Sequence, residues 1–436
     1  MKRTALVAGI AATCIIAPAA SAQTLEEALS MAYRTNPTIT AERARQKGTK
    51  EQKAQAWANA LPQISVNAGY VRNDVNQTVD STVFNPAAAP APSQEFKFNT
   101  ADAGVQASQP IFTGLRNYNA IKAARSSVKA GASQLSLVEQ SVLVDAARAY
   151  FDVVRDMAVY ESTANNVEVL VSQQREATVR FNVGEVTKTD VAQADARLAQ
   201  ARAQLTTAQA RLAVSRVAFA RIIGDTPGAL EKDPSLPQPP ATLEEALSVA
   251  DAASPVVLRA KFTEEASRRN VAVAKGAFSP TVSLTASYQY ADQPSTFISR
   301  NEQFAYGVRI TAPIFLGGLN LSRVREARAA NEADRRRIDE AERGATAQVT
   351  SAWEQLSAAR ANISSASAQL DANDLALNGV RREAQLGTRT TLDVLNAEQE
   401  YLNAEVALAN AQHDARLATF QLLAAMGVLG PDGAAE

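Results

Sequence analysis

Thr24-Leu25-Glu26-Glu27-Ala28-Leu29 is repeated letter for letter as Thr242-Leu243-Glu244-Glu245-Ala246-Leu247, and Pro62-Gln63-Ile64-Ser65-Val66 returns as Pro280-Thr281-Val282-Ser283-Leu284. Both pairs are offset by 218 (242 − 24; 280 − 62). Farther along, Pro110-Ile111-Phe112-Thr113-Gly114 answers to Pro313-Ile314-Phe315-Leu316-Gly317, and Val183-Gly184 through Asp190-Val191 answers to Leu386-Gly387 through Asp393-Val394, now offset by 203 (313 − 110; 393 − 190). The difference falls between the paired prolines, so it is one longer loop in the first copy. A period of about two hundred residues far exceeds a solenoid unit of roughly 20 to 50. The chain is therefore a duplicated half-molecule: a first repeat over 23–224, a proline-rich linker over 225–241, a second repeat over 242–426 and a tail over 427–436.

Residues 1–22 have the form of a secretory signal, with Lys2 and Arg3 ahead of an apolar run from Ala5 to Ile16 and Ala20-Ser21-Ala22 as the small-residue cleavage site. Lipidation at Cys14 is the alternative, but Ala12-Thr13 is a poor context for it. Loss of the signal removes the single cysteine, so packing or assembly must do the work of disulfides. One histidine, His413, cannot build a His/Cys metal cluster or stand beside a nucleophile as a triad base, and it reads as a helix-surface residue. No cofactor, metal or catalytic residue is expected, and the chain is not read as an enzyme. With 44 basic against 45 acidic residues there is no electrostatic case for nucleic acid. No run of 18 apolar residues follows the signal, so any membrane crossing must be made by strands.

The fold class predicted is mainly α with a small β part. Leu135, Val138, Val142, Ala146, Tyr150, Val153, Met157, Tyr160, Ala164, Val167 and Val171 step by threes and fours along one helix face. Leu198, Ala201, Leu205, Ala208, Leu212, Ser215, Phe219 and Ile222 do the same with the regularity of a coiled-coil seam. No proline interrupts Leu115 to Phe181, enough for a rod of roughly 100 Å at 1.5 Å per residue. Long, alanine-rich helices of this kind suit close packing side by side.

Two regions change period at equivalent places. Val282, Leu284, Ala286, Tyr288 and Tyr290 alternate with polar residues, as do Phe304, Tyr306, Val308 and Ile310, with Asp292-Gln293-Pro294-Ser295 between them as a turn. In the first copy Ile64, Val66, Ala68 and Tyr70 alternate, a Pro/Ala-rich loop covers Asn85 to Pro92, and a weaker strand runs from Phe96 to Gln109. The hairpins span about 62–110 and 280–313 and give four strands per chain. Pro110 and Pro313 are expected to stop ladder pairing, and Gly114 and Gly317 to permit the backbone angles that swing strand into helix.

Two readings of the hairpins stand side by side: soluble ribbons covering a helix, or strands of a membrane barrel with one apolar and one polar face. Four strands cannot close on themselves, and an open edge in lipid strands backbone groups at several kcal/mol each. A barrel would have to be shared. Two chains would give eight strands and a filled interior, and three would give twelve and room for a lumen.

The chain resembles the outer-membrane efflux duct (TolC) family. The resemblance rests on the repeated Leu-Glu-Glu-Ala-Leu start, Asn36-Pro37 and Ser254-Pro255, the Pro-Ile-Phe turns, and Arg180-Phe181-Asn182-Val183-Gly184 with Thr189-Asp190-Val191. It implies a homotrimer in which four strands per chain build a shared twelve-stranded β-barrel in outer-membrane lipid. Long antiparallel helices would continue it as an α-barrel tunnel across the periplasm. It also implies a periplasmic adaptor protein and an inner-membrane pump of the ABC or RND type, serving protein secretion, small-molecule efflux or both. By similarity Arg389 would pair with Thr189 and Asp190 on a neighbouring helix to latch the periplasmic tip, and Asp393 would form a pore-facing acidic ring. The chain departs from the family pattern at Ala384, where a latching tyrosine is expected, and at Asn396, where a second pore aspartate is expected. A weaker latch and a single ring follow from that.

A trimeric, barrel-anchored surface fibre or adhesin is the rival from another class. Fibres anchor at one chain end, whereas these strands interrupt both halves internally.

Overall fold

The computed structural model describes residues 23–77 and 93–431. The expected signal, most of the long first-copy loop with its Pro/Ala run, and the end of the tail lie outside the described residues. The first half runs α1 (Leu25–Thr35), α2 (Pro37–Ala58), β1 (Gln63–Gln77), β2 (Gln94–Phe112), α3 (Arg116–Asn182) and α4 (Lys188–Ile223). The second repeats the order as α5 (Leu243–Ala253), α6 (Pro255–Gly276), β3 (Thr281–Ser295), β4 (Ile298–Thr311), α7 (Leu319–Gln385) and α8 (Thr391–Met426). Helix lengths match across the halves, 67 residues for α3 and α7 and 36 for α4 and α8. The duplication therefore extends to element lengths, beyond the few motifs that carry it in sequence.

Local chemistry sets the boundaries. Thr24 opens α1 through a capping box with Glu27, and Thr242 accepts from the Glu245 N–H to open α5. Pro37 and Pro255 stand first in α2 and α6, where a missing N–H costs no helical bond. Gly224 and Gly427 stop α4 and α8 in the left-handed region, at φ 94° and 86°.

The chain divides into two compact units. One comprises the described parts of Met1–Glu42, Ser136–Ser254 and Gly344–Glu436. Its core centres on Tyr150, Phe151, Phe219 and Phe420, all fully buried, with Phe151 5.7 Å from Tyr150 and 5.9 Å from Phe420 between ring centroids. The Tyr150 hydroxyl lies 3.1 Å from the carbonyls of both Gln23 and Glu231, so one buried phenol ties the segment just before α1 to the inter-repeat segment. Burial pushes that phenol up to about 12. Thr35 and Asn36 donate to the carbonyls of Ile223 and Ile222, fastening α1 to the end of α4. Leu198, Ala201, Ala208, Leu212, Ser215 and Phe219 of the expected seam are buried, and at its end Ile223 is buried more deeply than Ile222.

The second unit, Arg43–Leu135 with Pro255–Arg343, contains a four-stranded antiparallel sheet in the order β1-β2-β3-β4. Its register pairs Val66 with Val105, Val105 with Tyr288, and Tyr288 with Phe304. Directly opposed residues share a face. One face therefore collects Ile64, Val66, Tyr70, Val105, Leu284, Tyr288, Tyr306, Val308 and Ile310, and the other Ser65, Asn67, Gln106, Ser287 and Gln303, joined toward the far end of β1 and β2 by Val71, Val75, Phe96 and Phe98. The outer borders of β1 and β4 pair with no described strand.

Three expectations need correction. The strands are longer than the alternating cores suggested, 14 to 19 residues. The expected turn at Asp292–Ser295 is strand: β3 continues to Ser295, with Gln293 at φ 48° and a register shift between Asp292 and Ser295, and the chain reverses only at Thr296-Phe297. Pro294 is tolerated because it falls in that irregularity. Pro110 does not stop the ladder either. It pairs with Ser283, and the register shifts between it and Phe112, whereas Pro313 follows the end of β4 at Thr311.

Candidate functional site

The two helix–helix turns of the first unit are built alike. In the first, Gly184 takes φ 81° and the Glu185 N–H returns to the Arg180 carbonyl at 2.9 Å. In the second, Gly387 takes φ 79° and the Thr388 N–H returns to the Glu383 carbonyl at 3.0 Å. Left-handed glycine followed by this closing bond is how a helix terminates while satisfying its last carbonyls. Each turn then opens the next helix through a threonine cap. Asp190 accepts from the Thr187 N–H at 2.8 Å and hydroxyl at 2.7 Å, and Asp393 accepts from the Thr390 N–H at 3.0 Å and hydroxyl at 2.8 Å. The Thr187 hydroxyl and backbone hold the Asp190 carboxyl below the usual carboxylate range. The Thr390 backbone, its hydroxyl and the Arg389 charge do so for Asp393. Both carboxylates are thus ionised and oriented at neutral pH.

Arg389 donates from Nε to Glu383 at 2.8 Å, within its own turn. It does not reach Asp190 in the single chain, but both line one cleft of about 500 Å3 together with Arg180, Glu185 and Arg381. Thr189 is exposed and outside that lining. Asn396 accepts from Arg197 of α4 at 2.8 Å, and Ala384 lies in the wall of the cleft. Chemically, the turns offer competing carboxylates to a few arginines across water.

Sequence reasoning missed the strongest polar contact nearby. Arg381 donates from Nε at 2.9 Å and a terminal nitrogen at 2.6 Å to Glu398, whose side chain is only 5% exposed. The signal was present: Glu398 stands at helical spacing between the buried Leu395 and Leu402. His413 also departs from expectation. It is buried, with Asp152 on one side and Asp414 on the other.

In the second unit the strand-to-helix turns place Gly114 at φ 61° and Gly317 at φ 60°. Leu115 shares the left-handed region at φ 61°, where its counterpart is Gly318. Asn117 donates to the Asn59 carbonyl at 2.8 Å, and Asn320 to the Ala277 carbonyl at 3.1 Å, tying the start of each long helix to the end of the short one before the hairpin. No described helix is long and apolar enough to cross a membrane.

Residues 28–225 and 246–428 each match the family described as Outer membrane efflux protein, one match per repeat. The chain is 31% identical over 424 residues to the outer membrane efflux protein BepC of Brucella suis, covering 97% of this chain and 89% of the relative. It is 24% identical to the outer membrane protein TolC of Vibrio cholerae, covering 96% and 94%. The crystal structure of the outer membrane protein VceC of Vibrio cholerae superposes with a TM-score of 0.77 at 21% identity, over 92% of this chain and 96% of that one. Repeated architecture, a two-faced four-stranded sheet and these matches agree: the chain belongs to the outer membrane efflux protein family.

Proposed function

We propose that three copies of this chain close one barrel in the outer membrane and continue it as a helical duct into the periplasm. The sheet carries this reading: over Ile64–Tyr70 and the strand segments paired with it the register gathers the apolar side chains on one face, and the outer borders of β1 and β4 pair with no described strand. Bare borders are costly in hydrocarbon, so β4 of one copy pairs with β1 of the next until the ring closes. Three copies, rather than two, leave a lumen.

The turns at Gly184 and Gly387 then form the periplasmic mouth, with Asp393 from each copy in an acidic ring. Arg389 gates it by exchanging partners, holding Thr189 and Asp190 of a neighbouring helix in the closed state and Glu383 in the open one. A periplasmic adaptor that prefers the open form shifts this balance by its differential affinity, and an inner-membrane pump supplies cargo. The relatives' names, efflux and outer membrane proteins, support this division of labour. Purified in detergent, the protein should have the mass of three 46.3 kDa chains, less their signals, and should give discrete current steps in planar bilayers. A monomer that carries no current overturns the reading.

A further inference from the structure

The first turns of α3 and α7 carry a second duplicated pattern that a duct alone does not require. Tyr118, Lys122 and Arg125 stand at i, i+4 and i+7, and at offset 203 (321 − 118) they return as Leu321, Arg325 and Arg328. Residues so spaced share a helix face. Tyr118 and Leu321 are 54% and 53% exposed, while the neighbouring equivalents Ile121 and Val324 are buried, so both stripes turn outward from their helix packing in the same way. The Lys122 Nζ sits 4.4 Å from the Tyr118 ring centroid. From Arg116 to Val138, α3 has four bases and no acid. Arg269 of α6 joins the cluster, its buried Nε without a hydrogen-bond partner among the described residues. Lys122, then Arg269 and Arg125, hold the Tyr118 phenol below its usual range. No described carboxylate forms an ion pair with Lys122, Arg125, Arg269, Arg325 or Arg328.

Along this one face of α3, exposed Leu115 and Tyr118 are followed by Lys122 and Arg125, the order met on leaving hydrocarbon for the headgroup layer. Tyr118 to Arg125 spans roughly 10 Å along the helix, enough to reach through a polar layer of roughly 5–8 Å. We propose that Tyr118, Lys122, Arg125 and Arg269, with Leu321, Arg325 and Arg328, form a collar that binds the phosphates of phospholipid headgroups in the leaflet adjoining these helices, and prefers anionic phospholipids. The proposal rests on the barrel reading above, since β1 to β4 must lie in the bilayer. The phosphates supply partners for cations that form no ion pair among the described residues, and the collar fixes the depth at which strands give way to helices.

The test uses the full protein in nanodiscs of phosphatidylcholine doped with phosphatidylglycerol, comparing wild type with a Lys122→Gln, Arg125→Gln, Arg325→Gln, Arg328→Gln variant. Native mass spectrometry reads the retained lipid, and bilayer recording reads the channel. Wild type should enrich phosphatidylglycerol, and the variant should lose about tenfold of that retention while keeping trimer mass and conductance. If the fourfold variant fails to assemble, Lys122→Gln with Arg325→Gln should show the same loss in smaller measure. Unchanged retention overturns the collar. So does displacement of the lipid by inorganic phosphate, which would mark a free-anion site, or a shift in ion selectivity without lipid loss, which would place the stripe in the duct. Failure of wild type to form a conducting trimer sinks the barrel reading instead, so the two failures are distinguishable.

Discussion

The Nε2 of His413 in α8 lies 3.0 Å from the Asp152 carboxylate in α3, and its Nδ1 lies 2.9 Å from Asp414. Burial alone would lower the imidazole pKa, but the carboxylates of Asp152 and then Asp414 outweigh it, and the net displacement from 6.5 is upward. Asp152 is likewise penalised by burial, yet His413 and Arg155 hold it below its ordinary 3.8. A raised imidazole stabilises fully below 6.5 and loses that contribution as pH rises through its folded value. A lowered carboxyl stabilises above 3.8 and loses its contribution as pH falls through its own folded value. The clasp is therefore strongest at mildly acidic pH. Thermal melting should show wild type losing more stability than His413→Gln does as pH rises above 6.5. Parallel curves for the two proteins would remove the clasp.

Glu398 is nearly buried and takes two hydrogen bonds from Arg381. Glu398→Ala should cost roughly 1.5–3 kcal/mol, the range for hydrogen bonds to charged groups, because the partly exposed guanidinium loses its acceptor. Glu398→Gln, which keeps one acceptor, should cost less. Melting temperatures equal to wild type for both the Ala and Gln variants would show the charge and its bonds to be immaterial.

Gly114 and Gly317 share a backbone angle but not a neighbourhood. A Cβ on Gly114 would meet the Gly276 carbonyl and the Ser279 Cβ at 2.5 Å, whereas one on Gly317 meets nothing within 4 Å. Gly317→Ala should cost only left-handed strain, roughly 1–2 kcal/mol. Gly114→Ala adds overpacking of about 1–3 kcal/mol. Chemical denaturation of both variants checks the ranking, and the reverse order would show that the strand-to-helix turn packs differently.

Asp393 serves its helix cap as well as the proposed ring, so a neutral variant changes two things at once. Asp190→Asn removes the matching cap charge, and with it a proposed latch partner of Arg389, without touching the proposed ring. Asp393→Asn should therefore reduce cation preference well beyond any change from Asp190→Asn, read as reversal potential in a salt gradient. Arg389→Ala should raise resting conductance by weakening the closed state, and Glu383→Ala, which deletes the open-state partner, should lower it. Coincident changes in both arginine-partner variants would exclude an exchange of partners.

Much of the fold is legible because period and punctuation agree. The alternation at Val282 to Tyr290 survives into the register, and the capping threonines sit where the helices begin. What escaped did so for physical reasons. In α8, buried Ala411, His413, Ala415, Ala418 and Phe420 occupy more than one face, so no stripe marks which residues are interior and a lone histidine passes for surface. Proline marked the end of a strand at Pro313 but not at Pro110, where the carbonyl side and a bulge keep pairing alive. At the tips, the internal repeat and the family resemblance singled out Asp190 and Asp393, but which carboxylate Arg389 holds depends on rotamers and neighbours that neither encodes.

The margins of β1 and β4, which pair with no described strand, bear on the life of the newly exported polypeptide. Each solitary copy is adhesive along two sides and can join sisters, strangers or aggregates with similar ease. Biogenesis must therefore be paced. Whatever meets those margins before a sister copy does decides whether a given chain is spent productively or lost.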